Sequence, residues 1–153
     1  MHKPNITLAC VVHCHGKFLL VEEYEAGKLT LNQPAGHLEK EESLLQGASR
    51  ELFEETGIQA VPQKLIKIYQ WHAPRTGLDF LRFTFALELP QYQPIKPQDP
   101  DIVGGKWLSL AEFDEYCSKP NQAARSPLVR QSILDYLKGD FCDLDILRKI
   151  FLI

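Results

Sequence analysis

The sequence predicts a mixed β-sheet held between helices, an α/β/α sandwich. Two observations carry this. Short runs rich in β-branched, aliphatic and aromatic residues recur from the first residues to about position 108. Beside them are three segments with clear helix signals, one opening among the runs at Ser43 and two after them at Ser109 and Ser126. A length of 153 residues fits one domain, 1–153, large enough to bury a core without disulfide or metal staples.

Ile6 to His13 is an apolar, β-branched run; His15-Gly16 makes a turn and Phe18 to Val21 returns, which is a hairpin. Leu29 to Asn32 is a short strand leading into the loop Gln33-Pro34-Ala35-Gly36. There Pro34 stiffens the chain and Gly36 allows close backbone approach to a ligand. Ser43 caps a helix running to Glu55, and Gly57 stands where a left-handed residue ends it. Lys64 to Trp71 and Phe80 to Leu89 have strand composition. In the second, Phe83, Phe85 and Leu87 alternate with Arg82, Thr84 and Ala86, so one set faces a core and Arg82 faces the other way. The proline-rich stretch Pro90–Pro100 reads as a loop before a short strand, Lys106-Trp107-Leu108. Ser109 and Glu112 form a capping box for a helix to about Cys117. Ser126-Pro127 through Lys138-Gly139 is a final helix with proline at its first turn and a glycine stop. The apolar tail, ending Ile150-Phe151-Leu152-Ile153, is expected to be buried on the domain or at a partner interface.

A net charge of −3 offers no general attraction to a nucleic acid polymer or an anionic membrane. An anionic substrate would therefore need a bound cation or a local basic group. No apolar run approaches the length of a membrane helix. Leu8-Ala9-Cys10 superficially suggests a lipoprotein signal, but the apolar stretch before it is far too short for one. The four cysteines lack the short paired spacing of a zinc site, and reduced thiols fit a cytoplasmic protein.

Residues 36–58 organise the chain. Glu51, Glu54 and Glu55 sit three and four residues apart on a helix, within an arc of about 100°. Like charges at that spacing repel unless a cation lies between them, and carboxylate oxygens suit Mg²⁺, Mn²⁺ or Ca²⁺ better than zinc. Leu44, Ala48 and Leu52 form the apolar stripe of the same helix, so one face is pinned and the next offers ligands.

Gly36, Glu42, Arg50-Glu51-Leu52, Glu54-Glu55 and Gly57-Ile58 match every fixed position of the Nudix box, G-x5-E-x7-R-E-U-x-E-E-x-G-U. The chain thus resembles the Nudix hydrolase family, whose fold is the α/β/α sandwich predicted above. The resemblance implies hydrolysis of a diphosphate linked to another moiety, with Mg²⁺ as cofactor and Mn²⁺ as a substitute. It implies metal ligation by Glu51, Glu54 and Glu55, joined by the Gly36 carbonyl and by an acidic residue from the late loop, here Asp101 in preference to Asp99. Glu54 is the expected general base, grouped with Glu51 and Arg50 as catalytic; Arg50 and Glu42 are expected to orient the liganding carboxylates, and Gly57 to support the site. Gln33, His37, Arg82 and Trp71 are the expected substrate contacts. Asn32 to Glu39, Phe80 to Phe83 and Arg125 to Val129 are further similar to a bacterial phosphatase subgroup of the family. That subgroup is associated with hydroxymethylpyrimidine diphosphate, thiamin diphosphate and nucleoside di- and triphosphates. The expected partner is a small-molecule diphosphate, and the expected assembly a monomer or homodimer. Pro74 instead resembles a marker of the ADP-ribose pyrophosphatases. A non-catalytic binding domain of the same family is a third reading, against which stands the complete set of box glutamates.

Overall fold

The computed structural model describes residues 1–150. Its elements in chain order are β1 (Asn5–Cys14), β2 (Lys17–Glu25), β3 (Lys28–Asn32), β4 (Ala35–His37), α1 (Leu44–Thr56), β5 (Lys64–His72), β6 (Asp79–Glu88), β7 (Gly104–Leu108), α2 (Leu110–Ser118), β8 (Gln122–Ala124) and α3 (Pro127–Lys138). A single 3-10 turn, Leu144–Ile146, follows.

The sheet runs β5-β6-β1-β2-β3-β8, with β4 against β1 and β7 against β2. It is mixed, because β1 and β6 are parallel, as are β3 and β8, while the other pairs are antiparallel. The β1–β2 hairpin is paired only beside its turn, at His13↔Phe18 and Cys14↔Lys17. Beyond that the two strands part. Thr7, Leu8 and Ala9 of β1 then pair with His37, Gly36 and Ala35 of β4, which carries the box glycine onto the sheet.

Strand β1 explains why its sequence shows no polar alternation. Leu8, Cys10 and Val12 face α1 in two clusters that include Leu52, Ala48, Phe85 and Leu87. Val11 faces the opposite side with Leu20, Leu31, Ile66, Phe113, Val129 and Ile133, under α2 and α3. A strand covered on both faces reads as one continuous apolar run. The same burial corrects the expected alternation in β6: Thr84 and Ala86 are as buried as Phe85 and Leu87.

Helix α1 starts where expected, with a capping box between Ser43 and Gln46. It ends at Gly57, whose φ of +75° and a Lys96 carbonyl only 2.6 Å from where a Cβ would stand leave room for no side chain. Of two three-residue strands, β4 falls largely in the stretch read from sequence as loop and β8 in one given no element, because three residues are too few for a period to show. In the tail, Leu144 and Leu147 pack beside Leu38, Leu44 and Leu45. Ile150 is exposed, and the rest of the apolar end expected to be buried, 151–153, lies outside the described residues.

Candidate active site

The three α1 glutamates do not face the same way. Glu51 and Glu55 turn inward and are buried, whereas the Glu54 side chain is 42% exposed and does not line the cleft described below. The Glu51 carboxylate lies against the Gly36 backbone, so closely that a Cβ on residue 36 would come within 2.1 Å of it. Glu55 Oε1 accepts the Ala35 N–H at 2.8 Å. Burial pushes the Glu55 carboxyl up to about 8, against the pull of that hydrogen bond. Glu51 is also raised by burial, and Arg50 offsets part of the effect.

Arg50 braces this cluster. Its Nε and Nη2 grip Glu42 in a two-point fork at 2.9 and 2.7 Å, and Nη2 also reaches the His37 carbonyl at 2.9 Å. Nη1 donates to Glu51 at 2.7 Å and to Glu54 at 3.3 Å. Glu42 in turn accepts the Glu39 N–H at 2.7 Å, and the fork to Arg50 holds its carboxyl below the usual range. All three guanidinium nitrogens of Arg50 are thus engaged within the protein, and the residue does not line the cleft described next. The structure thus places Arg50 behind the cleft wall, bonded to Glu42 and Glu51.

The cleft beside α1 has a volume of about 1250 Å³. Gly36, Glu51, Glu55 and Asp99 form its acidic end. Its floor carries a row of residues paired in register, Arg82 of β6, Thr7 of β1 and His37 of β4. Trp71 and Phe80, paired across β5 and β6, stack at 5.7 Å and 27° to form a flat apolar wall further along. At the mouth Arg125 pairs with Glu23 and Glu25, and Arg75 donates to Glu25 at 2.8 Å.

His37, Arg82 and Trp71 therefore meet in one cleft with Glu51, Glu55 and Gly36. Two expectations do not hold. Asp101 is exposed and outside the cleft, and its N–H donates to Asp99 Oδ1 at 2.9 Å; Asp99 is the loop carboxylate that faces the acidic end. The turn places one of the two inward, and sequence order could not say which. Gln33 is no substrate contact either. It is 1% exposed, with its amide nitrogen on the Val129 carbonyl at 2.9 Å and its oxygen on Arg82 at 2.7 Å. Sequence reasoning missed Phe80 and Thr7; the pairing of Phe80 with Trp71 depends on register, which no local signal carries.

The donors fit a hard divalent cation. They are all oxygen, and Glu51 and Glu55 are two carboxylates buried near one another, an arrangement that a cation relieves. Among the described residues no three His, Cys, Asp or Glu side chains converge into a cluster by themselves; Arg50 bridges Glu51 and Glu54.

A sheet sandwiched by helices, with a glycine loop and a glutamate-bearing helix at the edge of a cleft, defines a family that sequence comparison confirms. Residues 1–131 match the NUDIX domain model, and the chain belongs to the Nudix hydrolases, enzymes that generally use divalent metal ions. It is 51% identical over 139 residues to Phosphatase NudJ of Escherichia coli K12, spanning 91% of this chain and 87% of that protein. Phosphatase NudJ of Shigella flexneri gives the same figures. A NUDIX hydrolase structure from Nitrosomonas europaea superposes with a TM-score of 0.87 at 42% identity, covering 97% of this chain and 98% of that one. The resemblance to a phosphatase subgroup, drawn from three short stretches of sequence, is borne out by these relatives.

Proposed function

We propose that this Nudix hydrolase is Mg²⁺-dependent, with Mn²⁺ as a substitute, and cleaves the phosphoanhydride bond of small diphosphates with release of orthophosphate. The substrates proposed are hydroxymethylpyrimidine diphosphate, thiamin diphosphate and nucleoside di- and triphosphates. One observation carries the reading: a single cleft holds inward carboxylates at one end, an arginine in its floor and a flat aromatic wall beyond. That sequence of surfaces suits a metal-bound phosphate, a second anion and a planar ring. The kinship with a phosphatase supports loss of orthophosphate over other cuts.

In this reading Glu51, Glu54, Glu55 and the Gly36 carbonyl hold the cation, with Asp99 taking the place expected of Asp101. A divalent ion held there would neutralise diphosphate oxygens and make a water acidic enough to attack. Glu54, partly exposed and held by Arg50 at 3.3 Å, would be the carboxylate available to take a proton from an attacking water. Arg50 and Glu42 keep Glu51 in place, and His37 meets a phosphate oxygen from the edge of the cleft. The four free cysteines support a cytoplasmic location.

The test is phosphate release with Mg²⁺ on a panel of those substrates plus ADP-ribose, with product identification. Orthophosphate from several of the diphosphates supports the proposal. AMP and ribose phosphate from ADP-ribose alone would replace it with the pyrophosphatase reading, and silence throughout with metal bound would favour a binding domain.

A further inference from the structure

The floor of the cleft holds a buried positive charge with no carboxylate in contact with it among the described residues. Arg82 is 5% exposed, and no ion pair to it occurs among the described residues; Glu55 acts on it only through space. Its guanidinium donates only through Nη2, to Gln33 Oε1 at 2.7 Å and weakly to Asn32 Oδ1 at 3.4 Å. Nε is buried without a partner, and Nη1 makes no hydrogen bond among the described residues. Burial lowers the group to about 10, so it remains a cation at neutral pH.

The two acceptors are neutral amides, which can aim the guanidinium without offsetting its charge. Gln33 is locked in one orientation, because its nitrogen is committed to the Val129 carbonyl in the first turn of α3. Its oxygen therefore has one direction to point, toward Arg82. A buried, unpaired charge is among the most destabilising features a core can hold. A fold that builds one, orients it and leaves it on the wall of a cleft is complete only when an anion arrives.

Position in the sheet says which anion. Arg82 lies two strands from His37, beside the Gly36–Glu51 contact, and about 7 Å along its own strand from Phe80 of the aromatic wall. It stands between the acidic end and the flat wall. We infer that Arg82 is a built receptor for the phosphate that is not held at the carboxylate end, and that Gln33 acts only by aiming it. The ligand class is a diphosphate monoester with a planar ring close behind its phosphates. This rests on the diphosphate reading proposed above.

Inorganic pyrophosphate titrated into the full chain in EDTA, followed by calorimetry, isolates this subsite, since no cation is then present at the acidic end. The wild type should bind, Arg82→Gln should weaken binding at least tenfold, and Arg82→Lys should recover only part of the loss because it lacks the planar fork. Gln33→Leu should weaken binding several-fold, and the double variant should be no worse than Arg82→Gln alone. With Mg²⁺ and substrate, Gln33→Leu should raise KM more than it lowers kcat. Absence of pyrophosphate binding by the wild type would overturn the inference. So would Arg82→Gln or, if that variant misfolds, Arg82→Lys binding within twofold of the wild type, or additive losses in the double variant. The two readings fail separately. Substrate turnover unaffected by Arg82→Gln sinks the receptor and spares the hydrolase, whereas Arg82-dependent pyrophosphate binding by a chain silent on the panel does the reverse.

Discussion

Gly36 and Glu51 fit together so closely that the carboxylate fills the place a side chain at 36 would take, 2.1 Å from an added Cβ. The backbone of β4 and the carboxylate of α1 are thereby joined at one point of the site. Gly36→Ala should displace Glu51 and lower kcat by about 10²-fold, the scale of loss that a 1 Å misplacement brings. Circular dichroism should show an unchanged fold. A variant with wild-type turnover would mean that Glu51 does not hold the metal.

Glu55 is buried beside Glu51, and among the described residues its carboxylate has one hydrogen bond, to the Ala35 N–H. Glu55→Gln keeps the shape and removes the charge, so turnover should fall by orders of magnitude while the fold persists. Mg²⁺ should raise the melting temperature of the wild type, by the equivalent of about 2.7 kcal/mol at a hundred times its dissociation constant. The variant should respond much less. Wild-type activity in Glu55→Gln would place the metal elsewhere.

Arg50 grips Glu42 with a planar fork while a third nitrogen reaches Glu51 and Glu54. A lysine has the charge but not the fork. Arg50→Lys should lower kcat by about 10- to 100-fold, the usual scale for a residue that orients a metal ligand. KM for substrate should change little, because Arg50 does not line the cleft. A large rise in KM with kcat preserved would make Arg50 a substrate contact instead.

Glu88 joins the end of β6 to His13 of β1 at 2.7 Å and to the Tyr136 hydroxyl of α3. Burial opposes its ionisation, but those two donors outweigh burial and hold the carboxyl below its usual value. A depressed folded-state value means the stabilisation is present above about pH 4.5 and lost as pH falls through the folded value. The side chain is half-exposed, so the contribution is about 0.5 kcal/mol. Urea midpoints should therefore separate wild type from Glu88→Gln at pH 7 and converge at pH 3. A gap that persisted at pH 3 would show that the charge contributes nothing.

The sequence was legible wherever the chemistry is local. Helix α1 was written in Ser43, Gly57 and the stripe Leu44-Ala48-Leu52, and the inward carboxylates lay on the neighbouring face. The family was legible for the same reason, since its box spans one loop and one helix. Asp99 against Asp101 was not, because the turn that decides between them is held by backbone bonds from Gln98 and Asp99 to the Glu54 carbonyl. Gln33 was misplaced because its partners, Arg82 and Val129, are remote in sequence and meet it only through the sheet and α3.

By itself, then, the sequence determined the longer elements, the fold class and the acidic helix, all of which follow from spacings of three to four residues or of two. The tertiary structure alone decided the cleft. Trp71 faces Phe80, Arg82 lines up with Thr7 and His37, and Gly36 meets Glu51 because strand register and helix packing bring them together. Register is set by the burial of whole strand faces, a sum over many residues that no short stretch contains.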